Sequence, residues 1–139
     1  MDGYGTSDLL RVSGMDHPRF KMLVGRGQIR LSGGYPGTGH AHRHTKVDVL
    51  QARLFVKLSQ VGVTPRRAAM FWPLVENTLH HPEALLILAK RDDDADVDFR
   101  LVLPGGDAEM EQDDAPGVCT VINIGALKRE VLARLDALA

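Results

Sequence analysis

The sequence predicts an α+β protein, with a helical front over residues 4–80 and a smaller β-β-β-α piece over residues 83–139. Three observations carry that reading. Apolar residues recur at helical spacing as far as Leu79. Beyond His80-His81-Pro82 the period changes to the alternation of strands. The charge reverses at the same place: residues 1–82 hold eleven Lys/Arg against five Asp/Glu, and residues 83–139 hold six against thirteen. A total of −1 conceals a basic front and an acidic back, which suggests two surfaces with different partners.

The chain of 139 residues has the length of one domain or two very small ones. At 44% hydrophobic and 25% charged, its composition is that of a globular protein rather than a disordered tail. Cys119 is the single cysteine, so an intrachain disulfide is excluded and a reducing compartment suits the chain. No apolar run approaches the roughly 20 residues needed to cross a bilayer. The opening Met-Asp-Gly-Tyr-Gly-Thr-Ser lacks the basic and apolar regions of a secretion signal. A cytoplasmic protein without a membrane partner is therefore expected. There is no phosphate-binding P-loop and no nucleophile and base at recognisable spacing, and Cys119 falls in an expected strand. We expect a non-enzymatic protein without a cofactor.

Thr6 or Ser7 suits the cap of a first short helix, with Leu9, Leu10 and Val12 on its apolar side and Gly14 at its end. The stretch Asp16–Gly27 follows a tight Ser13-Gly14-Met15 link. Asp16 is a capping residue, Pro18 sits in the first turn, and Gly27 accepts the left-handed conformation that closes a helix. Phe20, Leu23 and Val24 fall at helical spacing and face inward; Arg19, Lys21 and Arg26 lie elsewhere on the cylinder. This is helix-turn-helix spacing, with a second helix patterned like a recognition helix that enters a DNA groove. Any pair of antiparallel helices shares the local pattern, and that alternative stays open.

Gln28–Leu31 alternates as a short strand does. Residues 32–39 are too rich in Gly and Pro for regular structure, and His40–Thr45 resumes as a return strand. Together they predict a wing. His40, His42 and His44 would share one strand face. Structural zinc normally asks for four ligands, usually with some cysteine, so no metal is expected here; contacts to phosphate or a solvated strand fit better. Thr45 caps a helix to about Val61, with Val47, Leu50, Leu54, Leu58 and Val61 as its core stripe and Gly62 as its end. Thr64-Pro65 starts another, with Ala68, Trp72, Val75 and Leu79 inward. Pro73 lacks a donor and crowds the preceding turn, so a break or kink is expected near Trp72 with a short continuation to about Leu79. Trp72 reads as core.

In the back piece, Ala84–Lys90 is an apolar run followed by an acidic turn at Asp92-Asp93-Asp94. Val97, Phe99, Leu101 and Leu103 alternate with Asp98, Arg100 and Val102, and Pro104-Gly105-Gly106 closes the hairpin. Residues 107–117 are an acidic loop, Val118–Ile124 a third strand, and Ala126–Leu138 a helix with Leu127, Val131, Leu135 and Leu138 on one side. A piece of roughly 55 residues is marginal as an independent core, so it is expected to lean on the front or on a second copy of itself.

The order of helix, recognition helix, wing, long helix and shorter helix resembles the winged-helix DNA-binding domain of the mercury-resistance-regulator (MerR) type over about residues 4–79. The specific part is Ser7-Asp8-Leu9-Leu10-Arg11-Val12-Ser13-Gly14-Met15-Asp16, then Phe20-Lys21 and Arg26-Gly27-Gln28-Ile29. It is similar to the family's short helix, Gly-apolar-Ser turn, Thr-Leu-Arg-Tyr-Tyr-Glu recognition helix and Gly-Leu-Ile exit. Thr45-Lys46-Val47-Asp48-Val49-Leu50 matches the Tyr-Ser-x-x-Asp-Leu start of the third helix, and Gly62-Val63-Thr64 the step after it. The chain departs at Met22 and Leu23, where the family often has a Tyr pair, at Lys21, where Arg is usual, and at His44, which replaces a wing-end Tyr. Lys cannot make the forked two-bond contact of Arg to guanine or phosphate. The family's long coiled-coil helix and cysteine metal site have no counterpart.

The resemblance implies a sequence-specific DNA-binding regulator of transcription. Its helix 17–26 would lie in the major groove and its wing 29–45 on backbone or minor groove. Arg19 and Lys21 would face bases or nearby phosphates, and His17 either. Arg26, Arg30 and Arg43 would take phosphate, the wing around Tyr35, His40, His42 and His44 would reach the duplex, and Thr6 and Ser7 would offer phosphate the donors of a helix start. Excisionase-like architectural proteins share the module, and a winged helix that docks protein is a further alternative. One such module reads few base pairs, so a homodimer or a helper protein is expected, joined through residues 83–139. The acidic loop Asp107–Asp114 suits a basic protein, or is simply solvated.

Overall fold

The computed structural model describes residues 3–32, 43–90, 97–102 and 119–138. It is α+β, as expected. Helices α1 (Thr6–Ser13), α2 (His17–Gly25), α3 (Lys46–Gln60) and α4 (Pro65–Asn77) precede strands β1 (Leu85–Lys90), β2 (Val97–Val102) and β3 (Cys119–Asn123), and α5 (Ile124–Asp136) follows. The turn expected at Asp92–Asp94, the Pro104-Gly105-Gly106 closure, the acidic loop 107–117 and the wing tip lie outside the described residues. Among those described, no helix is long and apolar enough to cross a membrane.

The helix ends follow from local chemistry. Asp16 Oδ1 accepts from the Arg19 N–H at 2.8 Å, and Pro18 occupies the first turn of α2. Past Arg26, Gly27 takes φ +70°. The N–H groups of Gly27 and Gln28 then reach back to the Val24 and Leu23 carbonyls, at 3.0 and 2.9 Å. This is a Schellman closure. The same closure ends α3: Gly62 has φ +86°, its N–H donates to Ser59, and that of Val63 to Leu58. Gly14 ends α1 at φ 76°. The end of α1 was legible; its start was not. The cap is Gly5, which has no side chain to offer, and the Thr6 hydroxyl lies 2.9 Å from His44 Nε2.

The first expected wing strand is not formed, and of the second only residues 43–45 are described. Residues 28–31 make no ladder, and His44 pairs with Tyr4 as an isolated antiparallel bridge, the two N–H···O bonds being 2.9 and 2.8 Å. The physical reason is prior engagement of the backbone. Gln28 and Ile29 donate to the Leu23 carbonyl. The Gln51 side-chain amide, oriented with its nitrogen toward Arg30, donates to the Arg30 carbonyl (2.8 Å) and accepts from its N–H (3.1 Å). Ser32 N–H donates to Asp48. Few backbone groups remain for a ladder.

The chain forms two compact units, Met1–Met70 with Arg129–Ala139, and Phe71–Lys128. In the first, α1 packs on α3; Leu9 and Val12 of α1, Phe20 and Leu23 of α2, and Leu50, Leu54, Phe55 and Leu58 of α3 are buried. Val61, expected inward, is exposed, because it lies in the closing turn beyond Gln60. The second half of α5 belongs here through charge. Arg53 donates to the Ser13 carbonyl (3.1 Å), and Arg134 to that of Val12 (3.2 Å). Glu130 bridges the two guanidinium groups at 3.1 and 2.8 Å. Two cations thus meet the carbonyl end of α1, where the helix dipole favours them.

In the second unit the sheet order is β2-β1-β3, all antiparallel, with Leu86 opposite both Leu101 and Ile122. Trp72 is buried as expected, and α4 runs unbroken through Pro73, whose ring lies on the exposed side. The helix nevertheless stops at Asn77, two residues short of the expected end. Asn123 caps α5 by accepting from the Ala126 N–H at 2.9 Å, so the helix starts at Ile124, two residues earlier than the apolar spacing suggests. Ile124 and Gly125 both donate to the Ala84 carbonyl. A Cβ on buried Gly125 would overlap the Pro82 carbonyl. Gly125→Ala, normally favourable in a helix, is therefore expected to destabilise by about 2–3 kcal/mol, read as a lower urea midpoint at unchanged slope.

Candidate functional site

The front of the chain is electrostatically one-sided. Between Asp16 and Asp48 the sequence has no acidic residue and six basic ones: Arg19, Lys21, Arg26, Arg30, Arg43 and Lys46. All six are described residues of the first unit, on α2, at the start of α3, or in the segments that lead away from α2 and into α3. His17, Lys21, Arg26, Arg30, Arg43 and Lys46 are exposed, as is Ser7; Arg19 and Thr6 are half-buried. Tyr35, His40 and His42 lie outside the described residues.

Asp48 fixes the segments on either side. Its carboxylate is only 1% exposed. Oδ1 accepts from the N–H and hydroxyl of Ser32, both at 2.9 Å, and Oδ2 accepts from the Thr45 N–H at 2.9 Å. The Thr45 hydroxyl accepts in return from the Asp48 N–H at 3.2 Å, completing a capping box. One side chain thereby holds the residue where the chain leaves Leu31 and the residue where it enters α3.

Four of the residues expected to touch DNA meet in one place. Thr6, His17, Lys21 and His44, with Phe20, Val24 and Leu31, line a cleft of about 220 Å³. His17, Phe20, Lys21 and Val24 stand at helical spacing on one face of α2, so that face is a cleft wall as well as a cationic surface. His44 differs from expectation: it is 2% exposed, a buried wall rather than an outward strand residue. Its Nε2 lies 2.9 Å from Thr6 Oγ1, its ring meets Phe20 edge-on at 5.8 Å between centroids, and Nδ1 stands 4.0 Å from Asp48 Oδ2. Ser7, Arg19, Arg26, Arg30 and Arg43 do not line the cleft.

Sequence reasoning missed Ser32, Gln51 and the three apolar cleft residues as parts of one arrangement. Gln51 carried a signal, since a polar residue beside Leu50 and Leu54 sits on a face that should be buried. Ser32, within a Gly-rich run, carried none. Among the described residues no group of three His, Cys, Asp or Glu side chains is placed to hold a metal ion. No family model matches the chain, and no curated protein matches it either.

The Asp48 carboxylate gives a direct check on this framework. Asp48→Ala is expected to destabilise by about 2 kcal/mol, from the lost cap and orphaned donors, and Asp48→Asn by roughly half of that because one acceptor oxygen survives. Equilibrium urea unfolding measures both. Thr6→Val, which keeps shape and removes the hydroxyl beside His44 Nε2, is expected to lose about 1 kcal/mol in the same experiment.

Proposed function

We propose that the chain is a sequence-specific DNA-binding regulator of transcription. Helix α2 enters the major groove, and the segment from Ile29 to Thr45 lies against the backbone or minor groove. The observation that carries this reading is the acid-free run from His17 to Val47, whose six cations belong to one compact unit with a short helix closed at both ends. Phosphate neutralisation supplies most of the affinity of a protein for a duplex, and an intervening carboxylate would work against it. A rigid helix then places the few side chains that read base edges. His17, Arg19 and Lys21 occupy its first turns, where groove-reading side chains stand; Arg26, Arg30 and Arg43 flank it for phosphate. One module of this size meets few base pairs, so the functional species is a homodimer or a complex with a helper protein.

Selection of bound fragments from random duplex DNA, followed by anisotropy titrations over a range of salt, tests the proposal. Affinity is expected to fall with salt along a log–log line of slope near −0.9 per phosphate contacted, and Arg26→Ala or Arg30→Ala to flatten that slope by about one contact each. Lys21→Ala is expected to relax sequence preference. Absence of any duplex binding at about 50 mM salt overturns the proposal.

A further inference from the structure

The geometry points to a second kind of ligand: the α2 cleft takes a small organic monoanion with an apolar body, a carboxylate on a ring or short hydrocarbon. The inference needs the cleft and Lys21 but no duplex, so it stands or falls apart from the DNA reading.

Four features of the cleft carry it. The first is charge: of the seven lining residues none is acidic, and Lys21 supplies a cation. The two acids that bound this stretch of sequence, Asp16 and Asp48, have their carboxylates engaged in helix caps. No carboxylate stands among the lining residues; Asp48 lies behind the wall, its Oδ2 4.0 Å from His44 Nδ1. The second is the division of the lining. Phe20, Val24 and Leu31 are apolar, while Thr6, His17, Lys21 and His44 are polar. A bare inorganic oxyanion gains nothing from three apolar neighbours and loses hydration against them. A molecule with one charged end and one apolar end satisfies both sets.

Size is the third. A volume of about 220 Å³ is room for roughly seven waters at ~30 Å³ each, hence for an organic molecule on the order of ten non-hydrogen atoms. Preorganisation is the fourth: the Thr6 hydroxyl and His44 Nε2 are held 2.9 Å apart, and Phe20 packs edge-on to the His44 ring, so these walls do not have to assemble on binding. Occupancy would place the anion beside His17 and Lys21, the side chains that α2 offers outward. A ligand there alters the charge of that helix face, which is how a small molecule makes such a surface responsive.

The experiment follows backbone amide shifts of the full chain on addition of sodium benzoate, with sodium chloride at matched ionic strength as the blank and benzyl alcohol as the uncharged partner of like shape. Saturable shifts are expected at Thr6, His17, Lys21, Val24 and Leu31, with a dissociation constant on the order of 1 mM and little response to benzyl alcohol. Lys21→Gln is expected to weaken benzoate about tenfold, and Val24→Phe, which fills the cleft and keeps the cation, to abolish the shifts. The amide spectrum itself reports whether each variant is folded. Non-saturating or scattered shifts, or benzyl alcohol binding as tightly as benzoate, would falsify the inference.

Discussion

One buried carboxylate determines how the front of this protein is put together. Asp48 receives hydrogen bonds from Ser32 on one side of a Gly-rich run and from Thr45 on the other, while closing the first turn of α3. A charge taken from water is tolerated only if its lone pairs are met, and three donors meet these. The same device that starts the helix therefore sets where the chain leaves residue 32 and where it returns. Gln51, one turn along α3, repeats the idea with an amide that imitates a neighbouring strand for Arg30. Polar side chains of a helix here do the work that a β-ladder was expected to do.

That substitution explains how the cleft comes to exist. With Arg30 and Ser32 held to α3, and His44 paired through its backbone to Tyr4, Leu31 and His44 come to wall one space with the start of α1 and a face of α2. The helix is kept short by its Schellman end at Gly27, where the left-handed backbone suits a residue without a Cβ. Its cationic face is thus presented by a segment whose two ends are both fixed by local chemistry.

Much of the fold was legible because short-range rules wrote it. Asp16, Gly27, Thr45 and Gly62 announced the ends of α2 and α3, and the stripe Leu50, Leu54, Leu58 announced a buried face. The second strand was visible in its alternation, and the first in its apolar run. What local pattern did not contain was competition. Nothing in Gln28–Leu31 says that its backbone groups are already claimed by Leu23 and Gln51, and nothing around Thr6 says that its hydroxyl turns to a histidine 38 positions away. Pro73 misled for a related reason: on the exposed side of α4 a missing donor did not break the helix. The site residues on α2 followed from its helical period, whereas the burial of His44 depended on a tertiary partner.

The clasp of Arg53, Glu130 and Arg134 on the carbonyl end of α1 has a temporal consequence. A ribosome delivers α1 early and Arg134 more than a hundred positions later. Until then the Val12 carbonyl lacks that donor, and Val131 and Leu135 are not there to be buried. The amino-terminal unit is consequently completed only when its last-made segment has emerged. Its assembly waits on translation of everything between, including the entire three-stranded sheet.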